Sequence, residues 1–311
     1  MPSEKLKEKR PTNSKYHGSS SVWKALLLKG MEEDGWEWDW TTLGTLKQPD
    51  QVITARLVAK SNGTWAGGAL IPALERVSEE GGGRVTIATS IEDGDRFKPG
   101  QTLLVWKGPA RWVLALERPF VNLAAFASGI ATQTASLVDE VERKWTVLKQ
   151  KAAPPRVAST RKTLPAYRDL SVRGVLAGGG HAHRVSLAGG VLIKENHIAA
   201  AGGIAKAVAG ARAVAPHGLK IEVEVRNLEE LRKALSARAD AVLLDNFTPA
   251  CVAEAVQIIQ RGPSGSVVVE VSGGIHAGNI ADYAQPGVHV ISSGSLTHSV
   301  TSSDFSLLVE G

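Results

Sequence analysis

The stretch from Val157 to Ile198 reads V-A-S-T-R-K-T-L-P-A-Y-R-D-L-S-V-R-G-V-L-A-G-G-G-H-A-H-R-V-S-L-A-G-G-V-L-I-K-E-N-H-I. Val157–Thr160 is short and β-leaning, Val191–Lys194 is a clear short strand, and Pro165–Ala177 between them has helical character. Three basic groups punctuate it: Arg161-Lys162, His183-Arg184, and Lys194 with His197. Each stands at the end of an apolar run or beside a glycine cluster. Cations at the ends of successive strands gather at one rim of an α/β barrel, where barrel active sites lie. Like charges left together repel, so such a rim predicts an anionic ligand. The competing reading is ordinary solvated surface charge. Three groups beside strand ends and a Gly-Gly-Gly tract favour a polyanion site.

Downstream, the alternation of short apolar runs and helical stretches continues. Strand candidates are Val157–Thr160, Val191–Lys194, Lys220–Val225, Ala241–Asp245, Val267–Val271 and Val288–Ser292. Asn227 with Glu230 three residues on is a capping signature for a helix over Leu228–Ala237. Valine- and isoleucine-rich strands with helices between them predict a parallel sheet covered on both faces. Six strands fall short of the eight in a complete (β/α)8 barrel, so the expected architecture is an incomplete, six-stranded α/β barrel. An open doubly wound sheet is the alternative. Polar residues at nearly every strand end favour closure.

The strand ends also carry acids and small residues. Alternation in I-E-V-E-V puts Glu222 and Glu224 on one face, and L-L-D-N ends in Asp245. Carboxylate oxygens beside a phosphate site suit Mg2+, so Glu224 and Asp245 are the candidate metal contacts; pairing with neighbouring Arg and Lys is the simpler alternative. Ser272-Gly273-Gly274 and Ser293-Gly294 follow the last two strands, the position at which barrels bind phosphate through backbone N–H groups. Neither a Ser/His/Asp order nor a His-Glu-x-x-His or P-loop motif is present. His181 and His183 lack an obvious third metal ligand, so His183 reads better as an anion contact. The residues alone predict a Mg2+-assisted transferase acting on a phosphorylated, multiply anionic substrate.

Upstream, residues 1–21 read as a disordered basic tail. Lys5, Lys7, Lys9, Arg10 and Lys15 against Glu4 and Glu8 account for much of the formal charge of +5. The remainder is near balance, and no basic stretch alternates with aromatics as in a single-strand groove; nucleic acid is not an expected partner. A short amphipathic helix is predicted from Val22. Trp36, Trp38 and Trp40 at period two predict an extended segment with packed rings. Strands over Val52–Ala59, Arg84–Ala88 and Leu103–Trp106, with a helix at Leu70–Val77, make a small α+β domain. Arg118–Lys149 reads as a long helix bent or split at Gly129. The expected division is therefore a tail over 1–21, an α/β sandwich domain over 22–130, and a barrel over 131–295, with 296–311 packing back on the sandwich. The single Cys251 rules out an internal disulfide, and its helical, apolar neighbourhood predicts a buried thiol. No apolar run approaches the roughly 18 residues of a membrane span. A cytosolic protein is the default, and the basic, Ser-containing start is also compatible with organelle targeting.

Taken in order, T-R-K-T-L-P at 160–165, G-G-G-H-A-H-R at 178–184, V-L-I-K-E-N-H-I at 191–198, I-E-V-E-V at 221–225 and L-L-D-N-F at 243–247 resemble the quinolinate phosphoribosyltransferase family. S-G-G-I and I-S-S-G-S-L-T-H-S follow in the same order, and G-P-A-R at 108–111 and E-R-P-F-V-N-L precede them. The resemblance spans roughly residues 22 to 305. It implies a dimer in which Arg118 enters the partner subunit's site. It implies that quinolinate faces Arg118, Arg161, Lys162, His183, Arg184 and Lys194. Phosphoribosyl pyrophosphate with Mg2+ would then lie near Glu224 and Asp245, its 5′-phosphate at Ser272-Gly273-Gly274 and Ser293-Gly294. Lys162, Lys194, Glu224 and Asp245 would carry the chemistry: transfer to the ring nitrogen, loss of pyrophosphate and decarboxylation to nicotinate mononucleotide. Leu164, Ala177, Ala182 and Glu195 depart from the residues frequent in the family, and none of them removes a charged contact. The A-G-G-G tract also resembles molybdenum-transport-associated relatives acting on another heteroaromatic acid, although Lys194 in K-E-N-H favours the quinolinate enzyme. A regulator that binds phosphate ligands without turnover is the remaining alternative.

Overall fold

A computed structural model describes residues 20–262 and 267–310. The tail expected over 1–21 lies outside the described residues except for Ser20 and Ser21, which already belong to a helix, Ser20–Asp34. The chain divides into two compact units. One runs up to Ala135 and takes in Asp169–Gly179 and the segment from Val300; the other comprises Ser136–Arg168 and Gly180–Ser299.

The second unit is built on six parallel strands: β1 Arg156–Ala158, β2 Val191–Ile193, β3 Ile221–Val225, β4 Ala241–Asp245, β5 Val268–Ser272 and β6 Val290–Ser292. Their order is β1-β6-β5-β4-β3-β2, so β1 and β2 are the two edges and the barrel stays open between them. The strand bounds lie within two residues of those read from the sequence. The register decides what faces the interior. Glu224 pairs with Leu243 and Leu243 with Glu270, so these three side chains share one face, and Asp245 stands opposite Ser272 one step further on. Asn227 caps the helix Leu228–Ser236 by accepting the Glu230 N–H at 2.9 Å. The Glu230 carboxylate turns to Arg226 instead of completing the box.

The first unit holds a four-stranded antiparallel sheet in the order Phe305–Val309, Val52–Ala59, Thr102–Pro109, Thr86–Thr89. The C-terminal strand pairs along Val52–Ala59 from Ala55↔Val309 to Ala59↔Phe305. The long helix begins earlier than expected and is unbroken over Ala110–Val147. Gly129 does not bend it. A Cβ there would lie 2.3 Å from the Thr301 carbonyl oxygen, so the glycine serves close approach of another segment. This helix does have the length and apolarity of a membrane span, contrary to the reading of the sequence, but 67% of its most apolar window is buried in the protein. It is a core helix.

Two further expectations are corrected. The tryptophan segment is not extended: Trp36–Trp38 is a 3-10 turn and Trp40–Thr45 a helix. Gly35 at φ 63° ends the preceding helix, and the Asp39 carboxylate caps the next by accepting the Thr41 and Thr42 N–H groups at 3.0 and 3.1 Å. Trp36 packs on Trp112 at 5.1 Å between ring centroids, whereas Trp38 and Trp40 are exposed. Cys251 is exposed rather than buried. It sits in the first turn of Pro249–Arg261, whose inner face is taken by Val252, Ala255, Val256 and Ile259.

Candidate active site

At the C-terminal ends of the barrel strands lies a cleft of about 420 Å3. Thr160, Arg161 and Lys162 line it after β1, His183 and Arg184 before β2, and Leu192 and Lys194 on and after β2. Glu224, Leu243, Asp245, Asn246, Glu270, Ser272, Gly273, Gly274 and Ser292 complete the wall. A shallower depression shares Lys162 and Ser272–Gly274 with it and adds His276, Ser293, Gly294 and His298. Thus the expected barrel residues, His197 excepted, line one or other of two adjoining depressions that share Lys162 and Ser272–Gly274. Arg118 does not line it: that residue stands exposed on the long helix of the first unit, 3.5 Å from the Glu117 carboxylate.

Loop chemistry fixes this rim. Asn246 adopts φ 59° and donates its Nδ2 to the Asp245 carboxylate at 2.8 Å. Asparagine tolerates that left-handed backbone, which turns the chain sharply after β4. Gly273 is at φ 93°, and a Cβ there would lie 2.4 Å from Asn246 Oδ1. Only glycine satisfies both conditions. Thr297 Oγ1 donates to the Lys162 carbonyl at 2.7 Å, and Arg168 joins Thr163 Oγ1 to the Val185 carbonyl. The two basic loops are thereby tied to their surroundings. His197 accepts the Lys194 N–H at 3.0 Å, so it starts a helix rather than facing an anion. The Gly-Gly-Gly tract is likewise structural. A Cβ on Gly178 would lie 2.5 Å from the Ala131 carbonyl oxygen, and Gly179 turns at φ 81°.

Charge in the cleft is layered, with cations at the rim and acids beneath. Lys194 Nζ lies 2.7 Å from Glu224 Oε2. Burial, reinforced by the nearby Asp245 charge, holds the Glu224 carboxyl above the usual range, while Lys194 pulls it down. Burial together with the neighbouring Arg161 lowers the Arg184 guanidinium, and the Glu222 carboxylate only partly offsets this; the two rim cations repel one another. His183 Nε2 lies 3.3 Å from Glu222 Oε2 and 3.4 Å from Glu270 Oε2. These two carboxylates push the ring up to about 10. Its Nδ1 accepts the Arg184 N–H at 2.8 Å, a contact that favours the neutral ring. Bonds to charged partners are the stronger kind, so the upward direction prevails.

Glu222 and Glu270 have no role assigned from the sequence. His183, Glu222 and Glu270 bring one nitrogen and two carboxylate oxygens within 4.8 Å of one another, a cluster separate from Glu224 and Asp245. The available signal is a charge inside the apolar run V-V-V-E-V at 267–271, because a buried acid is rare unless paired. Three buried polar atoms on the cleft residues have no partner among the described residues: Arg161 Nε, Glu270 Oε1 and Ser292 Oγ. Unpaired buried polar groups are costly, and all three belong to residues that line a cleft of ligand size.

A family model for the C-terminal domain of quinolinate phosphoribosyl transferase matches residues 130–308, and its N-terminal counterpart matches 39–128. The chain belongs to the quinolinate phosphoribosyl transferase family. Among quinolinate phosphoribosyl transferase relatives, a probable nicotinate-nucleotide pyrophosphorylase [carboxylating] of Archaeoglobus fulgidus is 38% identical over 84% of this chain and 96% of its own length. The Homo sapiens nicotinate-nucleotide pyrophosphorylase [carboxylating] is 37% identical over 81% of each chain. The solved nicotinate-nucleotide pyrophosphorylase from Francisella tularensis superposes with a TM-score of 0.82 at 32% identity, covering 94% of this chain and 98% of that one.

Proposed function

We propose that this cleft transfers phosphoribose from phosphoribosyl pyrophosphate to quinolinate and decarboxylates the product to nicotinate mononucleotide. The observation that carries the reading is the convergence of Arg161, Lys162, His183, Arg184 and Lys194 with Glu224, Asp245 and the Ser272–Gly274 turn on one cleft. The rim cations match a dicarboxylate, and the crowded Arg161–Arg184 pair is relieved by one. Family membership and the similarity to carboxylating pyrophosphorylases support the same assignment.

In this reading the ring nitrogen of quinolinate attacks C1 of the ribose, and the bond from C1 to pyrophosphate breaks. The transition state is cation-like at the sugar, so orientation and fixed charge supply most of the acceleration. Lys162 and Lys194 hold anionic groups at the reacting end. Ser272, Gly273 and Gly274, with Gly294 in the adjoining depression, offer N–H groups to the 5′-phosphate, while Ser293, whose N–H and hydroxyl donate to the Ala158 and Ile275 carbonyls, holds the loop that carries Gly294. Once the ring nitrogen is quaternised, the bond from C2 to its carboxyl carbon breaks. The electron pair stays on C2 beside N+ and is taken by a proton as CO2 leaves.

Glu224 and Asp245 fit a hard divalent cation. They are two oxygen donors close enough for the Asp245 charge to disfavour ionisation of Glu224. They would hold Mg2+ together with substrate oxygens, and the ion would neutralise the leaving pyrophosphate. The reading also takes the protein as a homodimer in which Arg118 serves the partner subunit's site, which suits its position outside the cleft. A soluble, cytoplasmic enzyme fits the substrates.

The deciding experiment is release of 14CO2 from ring-carboxyl-labelled quinolinate. Release that requires quinolinate, phosphoribosyl pyrophosphate and Mg2+ together is the expected result. No release from protein that still binds phosphoribosyl pyrophosphate would move the acceptor to another heteroaromatic acid.

A further inference from the structure

Beneath the rim, His183 is gripped from two strands at once. Glu222 on β3 and Glu270 on β5 each place an oxygen 3.3–3.4 Å from its Nε2. Their side chains are only 12% and 5% exposed. Nε2–H faces this acid pair whether or not Nδ1 carries a proton. The opposite edge of the ring meets the Arg184 backbone N–H at 2.8 Å, and the Arg184 guanidinium is anchored on the Gly190 carbonyl at 3.2 Å. The ring is therefore a strut between the barrel floor and the rim cation. An imidazole held at one edge only would swing about its Cβ bond, and Arg184 would lose its fixed neighbour.

The floor is also unfinished. Glu270 is 4% exposed, yet its Oε1 has no partner among the described residues, and Ser292, which also lines the cleft, is 1% exposed with an Oγ that likewise has none. Burying a carboxylate with one oxygen unpaired costs stability. Retaining an acid there is explained by what it does for the site.

We infer that Glu222 and Glu270 are positioning residues that act through His183, locking its ring and the Arg184 segment in the one orientation that receives the acceptor's carboxylates. They are not placed to touch those carboxylates themselves, since acid repels acid. Their anionic floor confines a dicarboxylate to the rim layer. This makes the pair a determinant of acceptor binding, with no part in holding phosphoribosyl pyrophosphate.

The inference rests on quinolinate being the acceptor, so wild-type turnover is measured first; its absence sinks that reading and not this one. In active enzyme, Glu270→Gln and Glu222→Gln are then compared, alone and in a His183→Ala background. Each Gln variant keeps the side-chain shape but removes the carboxylate charge that faces His183. Each is expected to raise the KM and the calorimetric Kd for quinolinate about tenfold, the equivalent of one charge-assisted hydrogen bond. The KM for phosphoribosyl pyrophosphate should stay within about twofold. In the His183→Ala background the same substitutions should add less than about twofold, because residues acting through a common partner are not additive. Full additivity, or equal weakening of both substrates, would overturn the inference. If Glu270→Gln fails to fold by its thermal transition, Glu222→Gln carries the same test from the other strand.

Discussion

Lys162 stands between the two parts of the proposed reaction. It lines both the main cleft and the phosphate depression, and it is exposed and forms no ion pair among the described residues. Such a cation packs little, so Lys162→Ala should leave the thermal transition within about 1 °C while turnover falls by two or more orders of magnitude, on the order of one lost charge contact in the transition state. Normal turnover would remove Lys162 from the site. His183 answers to pH instead. Its folded-state value is raised to about 10 against about 6.5 in an unfolded chain. The folded protein therefore holds the proton more tightly, and this stabilisation is complete below about pH 6.5. It is lost as pH rises through about 10, with a slope of up to about 1.4 kcal/mol per unit in between. Urea midpoints between pH 7 and 10 should fall for the wild type and fall less steeply for His183→Gln. Equal slopes would mean that the acid pair does not hold a protonated ring.

At the scale of elements, the long helix Ala110–Val147 and the helix Arg168–Ala177 approach closely because of glycines. A Cβ on Gly174 would lie 2.6 Å from the Ala127 carbonyl oxygen and 2.8 Å from Ile130 Cβ. Alanine gains up to about 1 kcal/mol of helix propensity, whereas overpacking against backbone costs about 1–3 kcal/mol. Overpacking wins, so Gly174→Ala should lower Tm by several degrees. Gly210, in the helix Ile204–Val214, has open space around it, and Gly210→Ala should raise Tm. A rise in Tm at both would show that propensity, not contact, governs these sites. Glycines of this kind also mark the limit of what the sequence discloses. The six strands are legible because unbroken valine and isoleucine runs have little other use between helices. Gly129 and Gly178 mislead, as a bend and as part of an anion loop, because a glycine that admits another backbone looks like one that makes a turn. Trp36, Trp38 and Trp40 mislead because their period of two masks the stronger local signals, Gly35 as a stop and Asp39 as a cap. Glu270 carries its signal in plain view, but its partners, His183 from the loop before β2 and through it Glu222 from β3, lie far away in sequence and only the fold brings them together.

At the scale of the whole molecule, the rim is rich in cations from the barrel unit, yet Arg118 belongs to the other unit, exposed on its helix beside Glu117. If each cleft is completed by Arg118 from a second copy, two defects can be separated by mixing. Arg118→Ala removes the donated residue, and Lys194→Ala removes one that lines the cleft of its own chain. In a mixed dimer, one of the two clefts combines both mutant residues and the other combines neither. Each variant alone is expected to be nearly inactive. Random reassortment of equal amounts yields about half mixed dimers with one intact cleft each, so activity should recover towards about one quarter of the wild type if the clefts work independently. The recovery should depend on subunit exchange, appearing after co-refolding and not on brief mixing. Mixed dimers isolated by two different affinity tags and found inactive would place Arg118 in its own chain's chemistry, or outside the chemistry altogether.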